Sequence, residues 1–136
     1  MPVTPVNEGI LLDTCALIWL VNEPEFLTAP QQQALTSTPH IAISSISGAE
    51  IACLQEKGRL QLDRHWKHWF DHFTTSNNIR ILDVSYEMLT EAFSLPAPFH
   101  RDPCDRIIVG TARHLSLKII TGDRKINDYP FVETIL

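Results

Sequence analysis

Cysteine is scarce and scattered. Cys15, Cys53 and Cys104 stand far apart and form no CxxC pair. That pattern argues against a disulfide framework and suits a reducing cytoplasm. Long hydrophobic runs are missing as well: the longest, Cys15 to Val21, is far too short to span a bilayer. The opening residues MPVTPVNEG carry neither a basic region nor an apolar run, so no secretory signal is expected there. Nucleotide-binding glycine motifs are absent. Without GxGxxG or GxxxxGK[ST], dinucleotide and P-loop functions lack their phosphate cradles. Without GxSxG there is no nucleophile elbow. An excess of positive charge is also missing. The formal net charge of −5 gives no general support for nucleic-acid binding.

What remains is a 136-residue chain, long enough to bury a real core, with 44% hydrophobic and 20% charged residues. This is a globular composition with no linker, repeat or low-complexity segment, and one domain over residues 1–136 is the economical expectation. The charge is unevenly spread. Residues 1–99 hold 5 Lys+Arg against 11 Asp+Glu, whereas residues 100–136 hold 6 against 5. Basic groups therefore gather around one stretch, HRDPCDRIIVGTARHLSLKIITGD, from His100 to Asp123.

That stretch reads as loop, helix, strand and acidic loop. Asp102 suits an N-cap and Pro103 the first helical turn. Ile108, Ala112 and Leu115 form a stripe at helical spacing, and Asp105 lies on it, aimed where the core should be. An inward carboxylate is costly without a cation or hydrogen bonds. Lys118 to Thr121 is a strand, closed by Gly122 and Asp123.

Upstream, Ile10-Leu11-Leu12 is a buried strand ending at Asp13, followed by a helix over Cys15–Val21. Thr28 caps a helix running through Leu35, and His40–Ile43 is a second strand. The helix Ile46–Lys57 stops at Gly58. Its apolar stripe is Ile46, Ala49, Cys53 and Leu54, with Glu50 among them. Asp63 is placed as cap of a helix whose core face is Trp66, Trp69, Phe70 and Phe73. Ile79–Val84 is a third strand, Ser85 caps a helix over Glu87–Leu95, Arg124–Asp128 is a helical turn, and Phe131–Leu136 is a last strand. This alternation indicates a parallel α/β sheet with helices on both faces.

Ligands of such sheets bind beyond the carboxyl ends of the strands. Asp13, Glu50, Asp105 and Asp123 all fall near such ends. Four carboxylates in one cleft repel one another and need a counter-charge. Hard oxygen donors suit Mg²⁺ or Mn²⁺, which bridge to phosphate and activate water. Each acid has an ordinary alternative: Asp102 and Asp105 suit a helix N-terminus, Asp13 and Asp123 suit loops or caps, and Glu50 suits a basic partner at the edge of the core. His65, His68 and His72 sit at helical spacing, but one helix rarely supplies a closed zinc site, so a solvated face is expected. The aromatic residues beside them suit a core better than a base-stacking platform. Cys104 has no assignable partner.

The segments LLDTCALIWL, SISGAEIACLQEKGRL and FHRDPCDRIIVGTARHLSLKIITGDRKI, in this order and spacing, closely resemble the PIN domain, and most nearly the VapC-type toxins of bacterial toxin–antitoxin pairs. The resemblance covers nearly the whole chain from about Gly9. It implies a Rossmann-like three-layer α/β/α fold and a metal-dependent endoribonuclease leaving 5′-phosphate and 3′-hydroxyl ends. It also implies a cognate VapB-like antitoxin and a homodimer; with no apolar run long enough to span a bilayer, no membrane partner is expected. By motif, Asp13, Glu50, Asp105 and Asp123 take the four acidic positions that hold Mg²⁺ or Mn²⁺. Asp102 matches an accessory acid, and Thr14 and Thr121 match polar neighbours. Among the basic residues of this stretch, Arg106 and Arg124 are candidates for phosphate contact, the ordinary alternative being a salt bridge to Asp102 or Asp128. The sequence departs at Gly48-Ala49, where near relatives often carry a bulky aromatic before the Glu. The alternative left open is a catalytically silent module that would use the same cleft to hold RNA or a protein partner. A haloacid-dehalogenase phosphatase is disfavoured, because Cys15 occupies the position of its second Asp. A phosphoacceptor receiver is disfavoured too, lacking paired acids after the first strand.

Overall fold

In the computed structural model, which describes residues 9–136, four short strands make one parallel sheet ordered β3-β2-β1-β4. They are β1 (Ile10–Leu12), β2 (Ile41–Ser44), β3 (Ile79–Leu82) and β4 (Lys118–Ile120). Leu12 pairs with Ile43 on one side and Ile120 on the other, so these strands finish at one level. Alternate side chains enter opposite layers, as strand geometry requires. Ile10, Leu12, Ile43 and Ile120 belong to one core cluster, and Leu11, Ala42 and Ile119 to a second. A sheet covered on both faces reads as continuous apolar runs, as β1 does here. The architecture is the expected three-layer α/β/α. From β1 the chain adds β2 and β3 on one side, then returns to place β4 on the other. The order reverses at the β1–β4 boundary, where a crevice opens at the carboxyl ends.

The helices are α1 (Thr14–Asn22), α2 (Ala29–Ser37), α3 (Ser45–Glu56), α4 (Trp66–Ser76), α5 (Tyr86–Ala92), α6 (Pro103–Leu115) and α7 (Arg124–Asn127), with a 3-10 turn at Pro24–Phe26. Most begin on a side-chain cap. Asp13 caps α1, Ser44 caps α3, Ser85 caps α5, Asp102 caps α6 and Asp123 caps α7. Thr28 and Gln31 close a reciprocal capping box on α2. On α4, Trp69 and Phe70 are buried and Trp66 and Phe73 pack against the same cluster, as the sequence pattern required. Gly110 of α6 meets α5 so closely that a Cβ there would lie 2.6 Å from the Ala92 nitrogen.

Several local expectations are corrected. The buried face of α3 is Ser47, Gly48 and Ile51, while Ala49 and Cys53 are exposed. Small residues win that face because Gly48 leaves room for Phe70 and Trp66, each 3.6 Å from where its Cβ would stand. Asp63 does not cap α4. It pairs with neighbouring Arg64, and His65 Nδ1 accepts from the Lys67 N–H instead. Strand β3 stops at Leu82, opposite Ser44, because α3 starts at Ser45 and leaves no further ladder partner. Helix α5 ends at Ala92, whose carbonyl accepts from Arg106 Nη1 at 3.2 Å. The expected strand Phe131–Leu136 reduces to one parallel bridge, Ile119 to Thr134. Beyond it, the Ile135 carbonyl is taken by the Gln31 side chain.

Candidate active site

The carboxyl ends of β1 and β4 are joined by side chains as well as by the sheet. Asp13 leaves β1 and turns the chain into α1, its Oδ1 accepting the Ala16 N–H at 2.8 Å. Its Oδ2 accepts the hydroxyl of Thr121, the first residue after β4. The Thr121 oxygen accepts the Asp123 N–H at 2.9 Å. One buried hydroxyl thus links two acids from neighbouring strand ends. Asp13 is only 5% exposed, so most of its solvation has to come from these bonds.

Glu50 arrives from α3, half-buried. The Thr14 hydroxyl lies 2.5 Å from Glu50 Oε1 and 2.8 Å from Ser47 Oγ. With one proton per hydroxyl, both are satisfied when Ser47 donates to Thr14 and Thr14 to the carboxylate. Asp105 stands in the first turn of α6, with Oδ2 2.7 Å from His100 Nε2. Asp123 caps α7 through the Lys125 N–H at 2.9 Å. His100, Asp105 and Asp123 each offer one ligand atom, and these lie within 4.8 Å of one another. Exposed Asp102 stands at the rim and accepts from the Cys104 and Asp105 N–H groups.

The electrostatics follow from this crowding. Burial pushes the Asp13 carboxyl up to about 6; the Thr121 and Ala16 hydrogen bonds oppose it, and Glu50 and Asp123 add to it. Asp105 is pushed up to about 7, by burial first and then by Asp102, Asp123, Glu50 and Asp13. Glu50 is also raised, by burial first, with the Thr14 bond opposing and Asp102 adding. The cleft accumulates more negative charge than it can stabilise alone. Its donors are carboxylates and hydroxyls, the chemistry that fits a hard divalent ion.

The structure therefore brings together Asp13, Glu50, Asp105 and Asp123, with Thr14 and Thr121 bonded to two of them. Arg106 is spent elsewhere. Its Nε, Nη1 and Nη2 donate to the carbonyls of His100, Ala92 and Phe99 at 2.9, 3.2 and 3.1 Å. Arg124 lies exposed in the first turn of α7. Burial and nearby acids push the Cys15 and Cys104 thiols up to about 11, so neither suits a nucleophile. His65, His68 and His72 are exposed. Sequence reasoning missed His100: it lies five residues ahead of Asp105 in a loop, a spacing tied to no periodicity.

An α/β/α domain that gathers acids at the point where its strand order reverses has them where such sheets bind ligands. The chain belongs to the PIN domain family, whose profile matches residues 10–132. It is 29% identical over 120 residues to Ribonuclease VapC22 of Mycobacterium tuberculosis (strain ATCC 25618 / H37Rv), spanning 88% of this chain and 91% of that protein. Among solved structures it resembles a toxin-antitoxin complex from Klebsiella pneumoniae, with a TM-score of 0.62 at 22% identity. It also resembles VapBC2 from Rickettsia felis bound to a DNA fragment from their promoter, with a TM-score of 0.64 at 17% identity. A third match is DNA-bound VapBC from Salmonella typhimurium, with a TM-score of 0.65 at 19% identity. Each alignment covers 93% of this chain and 96% of the other. These likenesses show the fold.

Proposed function

We propose that this PIN-domain protein is a metal-dependent endoribonuclease and the toxin of a VapBC-type toxin–antitoxin pair. The observation that carries the reading is an acid cluster at the β1–β4 crevice: Asp105 and Asp123 offer ligand atoms within 4.8 Å of each other, and Asp13 and Glu50, each bonded to a threonine hydroxyl, lie close enough to raise the Asp105 carboxyl. Similarity to a ribonuclease over nearly the full length supports the RNA substrate. Asp13, Glu50, Asp105 and Asp123 would hold Mg²⁺ or Mn²⁺. Such an ion supplies an activated water and neutralises charge on the phosphodiester. Thr121 keeps Asp13 oriented across the strand ends, and Thr14 does the same for Glu50. Asp102 fixes the start of α6, from which Asp105 projects. Exposed Arg124 remains available to RNA phosphate, whereas Arg106 serves the backbone. The products carry 5′-phosphate and 3′-hydroxyl ends, and the substrate is a single-stranded loop or bulge, since A-form duplex hides its base edges. A VapB-like antitoxin and a second copy of the chain are the partners.

The test is cleavage of total cellular RNA by purified, antitoxin-free protein with Mg²⁺, Mn²⁺ or EDTA, with the new 5′ ends sequenced. Discrete metal-dependent cuts that vanish in Asp105→Asn support the nuclease. Folded protein that cuts nothing with either metal turns the assignment towards a silent binding module on the same fold.

A further inference from the structure

We infer that His100 is the positioning residue for Asp105, holding one carboxylate oxygen so that the other is presented to the acidic cleft. The inference rests on the metal-site assignment above. Its first support is contact: His100 Nε2 lies 2.7 Å from Asp105 Oδ2, both side chains about one-fifth exposed. Its second is the other ring nitrogen. Nδ1 is buried and has no hydrogen-bond partner among the described residues. A proton on Nδ1 would be an orphaned buried donor, so the neutral ring carries its proton on Nε2 and donates it to Asp105. The same two facts separate positioning from direct ligation. Nε2 is engaged by the carboxylate and Nδ1 is enclosed, so in this arrangement the ring acts on the cleft through Asp105.

The ring is fixed from behind. It stacks on Phe99 at 4.5 Å between centroids and 25° between planes, and Phe99 in turn packs against Tyr129 at 4.7 Å. Arg106 grips the backbone on which both rings hang, through the carbonyls of Phe99 and His100. Arg106 follows Asp105 in the chain, so the acid and the clamp on its partner belong to the same turn of α6. Asp105 and His100 are therefore held on one framework. Partners that orient ligating groups in this way are worth roughly 10–100-fold in metal affinity or activity.

Two substitutions separate a donor role from a packing role. His100→Phe keeps a ring for Phe99 and removes the donor. His100→Gln keeps a side-chain N–H and removes the ring. Mn²⁺ affinity is read by electron paramagnetic resonance titration of free Mn²⁺ into the full chain, beside thermal melts and RNA cleavage kinetics. His100→Phe should weaken Mn²⁺ binding by roughly 10–100-fold with little change in melting temperature or in KM for RNA. His100→Gln should bind Mn²⁺ close to wild type. If His100→Phe binds Mn²⁺ as wild type does, or His100→Gln falls as far as His100→Phe, the inference is wrong. Wild-type protein that binds no Mn²⁺ also overturns it. If the variants sort as expected in Mn²⁺ binding while wild type cuts no RNA, the positioning role stands and the nuclease assignment falls.

Discussion

Stripped of metal, this protein should lose stability as the pH rises, and Asp13→Asn should cancel much of the loss. Asp13 titrates at about 6 in the fold against an ordinary 3.8. Between these values the folded state holds more proton than the unfolded chain. Stability is therefore fully present below about pH 4 and is lost as the pH passes through about 6. A gap of about two pH units, at roughly 1.4 kcal/mol each, amounts to about 3 kcal/mol. Asp105, pushed up to about 7, carries the decline to higher pH, with a smaller share because solvent screens its open side. Asn at position 13 keeps an oxygen for the Ala16 N–H but never carries the charge. Urea unfolding in EDTA, followed by tryptophan fluorescence, should show Asp13→Asn about 1–3 kcal/mol more stable than wild type at pH 8 and no more stable near pH 4. Adding Mn²⁺ at pH 8 should recover the difference in wild type alone, since only a bound ion stabilises the folded state. An equal gain at both pH values, or none at pH 8, would refute the reasoning.

Three further outcomes follow. Gly122→Ala would place a Cβ 2.0 Å from Trp19 Cη2, so thermal melts should show a loss of about 1–3 kcal/mol, partly relieved by adding Trp19→Leu; an unchanged melting temperature counts against the close approach. Arg106→Met strips donors from three carbonyls and should cost about 2–4 kcal/mol in urea unfolding. A raised KM for RNA with unchanged stability would instead return Arg106 to phosphate binding. Iodoacetamide at pH 7.5 should label exposed Cys53 first and leave Cys15 and Cys104, both at about 11, unmodified in native protein by mass spectrometry.

The fold was legible wherever local chemistry and burial agreed. Buried strands such as Ile10–Leu12 announce themselves as apolar runs, and Asp102-Pro103 marks the start of α6 unambiguously. The grouping of the acids at the candidate site was legible because they sit near strand ends, a position that topology alone makes meaningful. Failures came where tertiary contacts outweighed pattern. Ser47 and Gly48 look like a polar interruption of α3, yet they form its inner face because a hydroxyl must reach Thr14 and two aromatic rings need the space. Arg106 looked like a phosphate ligand because basic groups gather around its stretch of the chain; three carbonyls left open by a helix end and a loop had a stronger demand on it. Phe131–Leu136 had the composition of a strand but only a three-residue edge to pair with.

Asp13, Asp102 and Asp123 each begin a helix while also facing the cleft or its rim. Every one of them thus answers to two demands at once, and truncation of the side chain removes both together. Replacement by Ala removes the charge and also unfastens the first turn of α1, α6 or α7, so an inactive Ala variant says little about chemistry. Asn fastens the turn without the charge and is the informative substitution. The same double duty limits how such a protein can decay: a lineage that stopped needing the reaction would shed Glu50 or Asp105 first, and would keep Asp13, Asp102 and Asp123, or Asn in their place, long after the activity had gone.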